Sequence, residues 1–131
     1  MKTFEKIPEE TEKAATQVLD AAFAVHRTLG PGLLECVYQA CLRHELRKRN
    51  IAHEAEVSLP VIYDGLKLDA GLRLDLLVDC RIIVELKAVE KILPVHEAQL
   101  LTYLKLTECR LGFLLNFNVP VLKDGIKRIV L

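Results

Sequence analysis

The centre of the sequence carries the pattern that most constrains the fold: two apolar segments joined by a short polar turn, GLRLDLLVDCRIIVELKA at residues 71–88. Apolar runs of this length are typical of β-strands, and the polar residues at 79–81 predict a tight turn between them. Asp75, Glu85 and Lys87 place ionisable groups in the middle of these strands. Burying such groups is costly unless they are paired or bind a metal. We therefore expect these three residues to belong to a functional site.

The predicted order of elements is ααβββαβ(β), which is typical of an α/β or α+β fold with a mixed sheet flanked by helices. Gly30, Pro31 and Gly32 separate the first two helices, and Asp64 with Gly65 is a strong hairpin signal. The predicted elements are helices at 9–29 and 33–49, strands at 54–63, 66–78 and 82–89, a helix at 95–107, a strand at 111–117 and a short strand at 126–130. The continuous apolar run of the third strand predicts burial on both faces of the sheet.

Length and composition limit the possible functions. A chain of 131 residues that is 51% hydrophobic suits one compact domain, and we expect residues 1–131 to form it. Lys plus Arg and Asp plus Glu both number 18, so the formal net charge is zero. The chain therefore lacks a basic field over the whole molecule for nucleic acid, although a local basic patch is compatible with a zero sum.

Three features of the sequence predict a soluble cytoplasmic protein. The cysteines at 36, 41, 80 and 109 lack the spacing of a zinc site and suit the reduced thiols of an intracellular protein. The N-terminal segment is polar and acidic, unlike a signal peptide. No apolar run approaches the roughly 20 residues that a membrane span needs.

The charged residues of the two central strands are predicted to meet on one face of the sheet. Side chains alternate along a strand, so Glu85 and Lys87 point the same way. If the two strands pair through the turn, Asp75 lies near Glu85 across the hairpin. Carboxylates that close cannot both ionise without a compensating cation, which Lys87 supplies in part. Hard oxygen ligands of this kind suit Mg²⁺ or Mn²⁺.

Two helices carry polar residues that could complete this site. Glu35 shares a helical side with Tyr38 and Leu42, so we expect it to face inward. On the later helix, His96, Gln99 and Tyr103 share the same spacing and form a polar stripe beside an apolar one.

These residues resemble the motifs of a known superfamily. Asp75 followed by Glu85-Leu86-Lys87 resembles the D…(D/E)XK signature of the PD-(D/E)XK nucleases, and the segment 99–103, QLLTY, resembles the QxxxY motif of RecB-type members. The segment 32–38, GLLECVY, resembles the motif that names the GxxExxY family within that superfamily. The similarity covers about residues 14–130. It implies a restriction-endonuclease-like core.

The resemblance also implies a divalent-metal site. Asp75 and Glu85 would bind the Mg²⁺ or Mn²⁺ ion, with the backbone carbonyl of Leu86 as a third ligand. Glu35 would bind the ion directly or through water.

The remaining motif residues have implied catalytic roles. Lys87 would orient or deprotonate the attacking water and stabilise the negative charge that develops on phosphorus. Gln99 and Tyr103 would position Lys87 or a phosphate. One departure is Leu74, which stands where the superfamily signature has proline.

Each of these residues also has a purely structural interpretation. Asp75, Glu85 and Lys87 could form an ion-pair network, Glu35 could cap or pair with a basic neighbour, and Tyr103 could be a core aromatic. The basic residues of the second helix could be a solvated helix end or a nucleic-acid contact; they are Arg43, Arg47 and Lys48. We interpret the histidines without a partner pattern as surface residues; they are His26, His44 and His53.

Two functions remain in competition at this point. The first is a metal-dependent nuclease, with DNA favoured over RNA as the substrate. The second is a non-catalytic interaction or scaffold protein built on the nuclease fold. A domain this small has little surface for binding a nucleic-acid duplex, so we expect a homodimer or a protein partner.

Overall fold

Two helices begin the described part of the chain, and a five-stranded sheet with one further long helix follows. The computed structural model describes residues 6–131. The helices are α1 (Glu9–Leu29), α2 (Glu35–Lys48) and α3 (Pro94–Thr107). The strands are β1 (His53–Tyr63), β2 (Leu66–Val78), β3 (Ile82–Lys87), β4 (Leu111–Asn116) and β5 (Ile126–Val130), with a short 3-10 helix at Leu122–Gly125 before β5. The predicted order of elements is confirmed, including the short final strand.

The sheet is mixed, and its strands follow chain order from β1 to β5. Only β3 and β4 are parallel, and α3 connects them; the other neighbouring pairs within residues 6–131 are antiparallel. β3 lies in the centre, and its residues from Ile82 to Leu86 are all buried. The prediction that the third strand is covered on both faces is confirmed.

Each face of the sheet has its own apolar core. α1 and α2 pack on one face with Val84 and Leu86 of β3, and we call this the first core. α3 packs on the other face with Ile83 of β3, and we call this the second core. Successive residues of β3 therefore alternate between the two cores, which places Glu85 and Lys87 on the side of α3.

β3 is shorter than predicted because a side chain takes over its pairing. The predicted strand ran to residue 89, but β3 ends at Lys87. The carboxamide of Asn116 accepts a hydrogen bond from Val89 N at 3.1 Å and donates one to Val89 O at 2.9 Å. The buried Asn116 thus holds the segment that follows β3, and regular pairing of the two strands ends there.

β1 and β2 exchange faces together halfway along their length. Ala55 and Leu76 contact the first core, whereas Val57 and Leu74 contact the second. Residues two apart in a regular strand lie on the same face, so both strands twist sharply between these pairs. Glu56, the residue between Ala55 and Val57, has a φ of 53°, in the left-handed region that non-glycine residues rarely adopt. The twist lies beside Asp75 and so shapes the candidate site.

Some predictions about single residues and membrane segments are tested by the fold. His26 is buried, and its Nε2 lies 2.8 Å from Val119 O, so its assignment to the surface was wrong. The interior position arises because α1 packs this part of its length against the loop after β4. None of the helices in the described chain combines the length and hydropathy that a membrane span requires.

Candidate active site

The site is built where β2 separates from β3. The ladder between them pairs Leu76 with Val84 and continues towards the turn. Beyond it, side chains replace backbone partners: Asp75 N donates to Glu85 Oε2 at 3.2 Å, and Leu86 N donates to Asp75 Oδ2 at 2.9 Å. The two carboxylates are thereby fixed next to one another. The proximity of Asp75 and Glu85 expected from the hairpin register is confirmed.

Burial makes this carboxylate pair unusual. Only 6% of Glu85 is exposed, and the pKa of its carboxyl is raised to about 9, first by this burial and then by the side-chain hydrogen bond and the negative charge of Asp75. The hydrogen bond from the Asp75 backbone and the positive charge of Lys87 act in the opposite direction and are already included in that value. In the absence of another cation, the pair of carboxylates therefore retains a proton at neutral pH.

Lys87 and Tyr103 lie on the same side of the sheet as Glu85. Lys87 is half-buried at the end of β3. Tyr103 belongs to the second core, and its pKa is raised, first by burial and then by the charges of Glu85 and Asp75. Its ring packs in the second core, on the side of the sheet that carries Glu85 and Lys87. Tyr103 is thus a core aromatic on the same side of the sheet as Glu85.

The oxygen atoms of Asp75, Glu85 and Leu86 suit the coordination of a divalent metal ion. The carboxylates of Asp75 and Glu85 are hard oxygen ligands that lie next to each other, and burial together with the neighbouring Asp75 disfavours the charged form of Glu85 unless a cation is present. Leu86 N points to Asp75, and the N–H and C=O of a strand residue face the same neighbour. The carbonyl of Leu86 therefore faces the same side and suits a third oxygen ligand.

Glu35 does not face inward as expected. It is exposed at the first position of α2, although Tyr38 and Leu42 on the same helical side are buried. The helix begins only at Glu35 because Leu34 is extended, so this first turn protrudes beyond the core. Within residues 6–131, no group of three or more His, Cys, Asp and Glu side chains could hold a metal. The carboxylate pair is thus formed without Glu35, whose role as a ligand stays a prediction.

Tyr38, the last residue of the 32–38 motif, has a clear structural function. Its hydroxyl donates to Gly30 O at 2.6 Å and accepts from Leu33 N at 3.1 Å, and its ring stacks on Phe117 with centroids 4.6 Å apart. The tyrosine therefore fixes the loop between α1 and α2. That loop sets the position at which α2, with Glu35, begins.

The polar stripe predicted on α3 divides into residues with different surroundings. Gln99 is exposed, and Tyr103 is buried. His96 accepts a hydrogen bond from Leu93 N through Nδ1 at 3.0 Å, so it caps the start of α3. The exposed Gln99 is thus accessible to a bound molecule. Within residues 6–131 it makes no hydrogen bond to Asp75 or Glu85.

The basic residues of α2 differ in exposure. Arg47 and Lys48 are exposed, and Lys48 pairs with Glu45 at 3.1 Å. Arg43 is half-buried, and its Nε is buried without a hydrogen-bond partner within residues 6–131. Their role in nucleic-acid binding is not tested by these contacts.

One residue of the site was missed by the sequence interpretation. Gln39 of α2 donates from Nε2 to Asp75 O and to Glu56 Oε1, both at 3.1 Å. Its position four residues after Glu35, on the same helical face, was the available signal. A lone glutamine on a polar helical face gives no other indication of a partner 36 residues away in the sequence.

Comparison with known families agrees with this geometry. A model of the PD-(D/E)XK nuclease superfamily matches residues 12–129, nearly the whole chain. The chain belongs to the PD-(D/E)XK nuclease superfamily. The mixed sheet flanked by helices is consistent with the restriction-endonuclease-like fold, and PD-(D/E)XK nucleases generally use divalent metal ions. No significant match to a curated protein or to a solved structure was found. Placement in the GxxExxY family stays a prediction.

Proposed function

We propose that this PD-(D/E)XK protein is a divalent-metal-dependent nuclease that hydrolyses phosphodiester bonds, with DNA favoured over RNA. The observation that carries the proposal is the contact between Asp75 and Glu85 at the point where β2 leaves β3. A scaffold has no need for a carboxyl whose pKa is raised to about 9 by burial and by a second carboxylate. A metal site does need adjacent oxygen ligands, and their mutual repulsion favours a bound cation.

The ligands of the ion would come from neighbouring strands. Asp75, Glu85 and the backbone carbonyl of Leu86 would hold Mg²⁺ or Mn²⁺, and Glu35 would reach the ion directly or through water from the first turn of α2. When bound, the ion would neutralise charge on the phosphate and lower the pKa of water. Glu85 would release its proton as the ion binds, because the cation replaces the proton as the partner of the pair.

The other residues would act on the phosphate and the attacking water. Lys87 lies beside Glu85 on the same strand face, where its ammonium would orient the water and stabilise negative charge on the phosphoryl oxygens. The Tyr103 hydroxyl and the exposed Gln99 would position Lys87 or a phosphate. The packing of α3 on the side of the sheet that carries Glu85 and Lys87 supports these roles.

Contacts to the substrate outside the reacting phosphate would come from basic side chains. Arg43, Arg47 and Lys48 on α2 would contact backbone phosphates, which carry no sequence information. A domain this small has little further surface for contacting a duplex, so we retain the prediction of a homodimer or a protein partner.

Calorimetric titration with Mn²⁺ tests the metal site, and a cleavage assay tests the reaction. The wild-type protein should bind Mn²⁺ and cut single-stranded or duplex DNA, whereas Asp75→Asn should do neither. Binding of Mn²⁺ by Asp75→Asn with wild-type affinity would refute the site. Metal binding without cleavage of any DNA or RNA would favour the interaction-protein function instead.

A further inference from the structure

Gln39 connects three elements at the centre of the site. Its carboxamide nitrogen lies 3.1 Å from Asp75 O on β2 and 3.1 Å from Glu56 Oε1 on β1, while the residue itself belongs to α2. An amide nitrogen has two hydrogens, so both hydrogen bonds can form at once. The hydrogen bond to Asp75 O is partly buried, which reduces competition from water, whereas the one to the exposed Glu56 is open to solvent.

The hydrogen bond to Asp75 occurs where the sheet is irregular. The ladder of β1 and β2 pairs Ala55 with Leu76 and Val57 with Leu74, and Glu56 between them has a φ of 53°. Both strands change faces at this point, so regular backbone pairing does not by itself fix Asp75. Gln39 supplies a hydrogen-bond donor to the Asp75 carbonyl at that position.

The orientation of the Asp75 peptide determines where its carboxylate points. The backbone carbonyl of Asp75 accepts a hydrogen bond from Gln39 Nε2. Its side-chain carboxylate accepts one from Leu86 N at 2.9 Å. If the carbonyl contact is lost, the backbone can rotate, and the hydrogen bond from Leu86 N weakens with it.

We propose that Gln39 is a positioning residue that holds Asp75 in the orientation required for binding the metal. The inference deepens the proposed function and rests on it where metal affinity is concerned. Glu56 orients the carboxamide of Gln39 by accepting its second hydrogen, so the strained residue on β1 supports the same contact. Partners of this kind, which contact a ligand residue and not the metal, typically contribute about 10- to 100-fold to metal affinity.

A structural link between α2 and β1 is the competing interpretation of the same contacts. It predicts that loss of the hydrogen bond between Gln39 and Glu56 lowers thermal stability and leaves Asp75 unaffected. The two interpretations therefore differ in what happens at Leu86, whose N–H is bonded to the Asp75 carboxylate and so reports on Asp75.

Amide hydrogen exchange and calorimetry on the full-length protein distinguish the positioning role of Gln39 from the structural link between α2 and β1. In Gln39→Met, which retains side-chain length but has no donor, Leu86 N–H should exchange about tenfold faster than in the wild type, and Val84 N–H in the regular ladder should not change. The same variant should bind Mn²⁺ about tenfold more weakly. Glu56→Gln is the matched control, because its carbonyl still accepts from Gln39; it should retain slow exchange at Leu86 and near-wild-type Mn²⁺ affinity.

Each remaining outcome has a defined meaning. Unchanged exchange at Leu86 and unchanged Mn²⁺ affinity in Gln39→Met would overturn the inference. Equal losses of slow exchange at Leu86 in Glu56→Gln and Gln39→Met would also overturn it, because Glu56→Gln keeps the hydrogen bond from Gln39 and should leave Asp75 in place. A lower thermal stability of Gln39→Met with unchanged exchange at Leu86 would favour the link between α2 and β1. If Gln39→Met does not fold, Gln39→Asn, whose side chain is too short to reach both partners, is measured in its place. If the wild type binds no Mn²⁺, the proposed function fails, while the exchange measurement still decides the role of Gln39.

Discussion

The backbone N–H of Leu86 donates a hydrogen bond to Oδ2 of Asp75 across a distance of 2.9 Å. This contact occurs just beyond the last regular pair of β2 and β3, Leu76 with Val84. A carboxylate thus takes the place of a backbone carbonyl and is held beside Glu85. The hydrogen bond keeps the Asp75 carboxylate at the point where the two strands separate.

Removal of the Asp75 side chain should reduce stability even without metal. Asp75→Ala leaves Leu86 N–H without its partner, and we expect a loss of about 1–3 kcal/mol in the free energy of unfolding. Urea denaturation of wild type and Asp75→Ala in the presence of a chelator measures this difference in the free energy of unfolding. Asp69→Ala, at an exposed position on the same strand, is the control and should lie within about 0.5 kcal/mol of wild type. Equal stability of the two variants would argue against the structural role of the Asp75 carboxylate.

The metal-free protein should lose stability as the pH rises. Burial and the neighbouring Asp75 raise the pKa of Glu85 from 4.5 to about 9 on folding, so between these values the folded state binds a proton that the unfolded chain has released. The free energy of unfolding therefore falls with increasing pH, by at most about 1.4 kcal/mol per pH unit. Urea denaturation at several pH values in this window, with a chelator present, measures the slope.

Glu85→Gln provides the control for this pH dependence. The amide cannot ionise, so the variant should show a much flatter profile and should exceed the wild type in stability at the alkaline end. An identical pH dependence in both proteins would mean that Glu85 titrates normally.

The hydroxyl of Tyr38 should contribute to stability separately from its ring. Tyr38→Phe retains the stacking on Phe117 but loses the hydrogen bonds to Gly30 O and Leu33 N. We expect a loss of about 1–2 kcal/mol in the free energy of unfolding. Tyr63→Phe, at a site that is 73% exposed, is the matched control and should have little effect. A negligible loss in Tyr38→Phe would show that the loop between α1 and α2 is held by other contacts.

The strand residues of the site could be predicted from the sequence because strand geometry has few alternatives. Once residues 79–81 form the turn, the antiparallel register brings Asp75 next to Glu85, and alternation puts Lys87 on the side of Glu85. The same regularity made the element order predictable.

The helical residues could be predicted less well because spacing along a helix does not show where the helix ends relative to the core. Glu35 has the correct spacing from Tyr38 to face inward, yet it is exposed because it begins α2. Gln39, one turn later, contacts Asp75. The same amide nitrogen contacts Glu56, whose left-handed conformation no local pattern in an alternating strand indicates. His26 is buried by packing against a loop far away in the sequence, which a single-residue interpretation cannot anticipate.

Cleavage of nucleic acid by wild type and Lys87→Ala, measured with Mn²⁺ or Mg²⁺ on single-stranded and duplex DNA and RNA, tests the central claim most directly. Lys87 supplies no ligand oxygen, so Lys87→Ala should retain Mn²⁺ binding in calorimetry, with an affinity equal to or above that of wild type because a nearby positive charge is gone. Its cleavage rate should fall by about 10²–10³-fold, as expected for loss of a group that stabilises charge in the transition state. Both proteins are purified in the same way, so the variant also reports any contaminating nuclease. Equal cleavage by the two proteins would show that the activity does not come from the site formed by Asp75, Glu85 and Lys87.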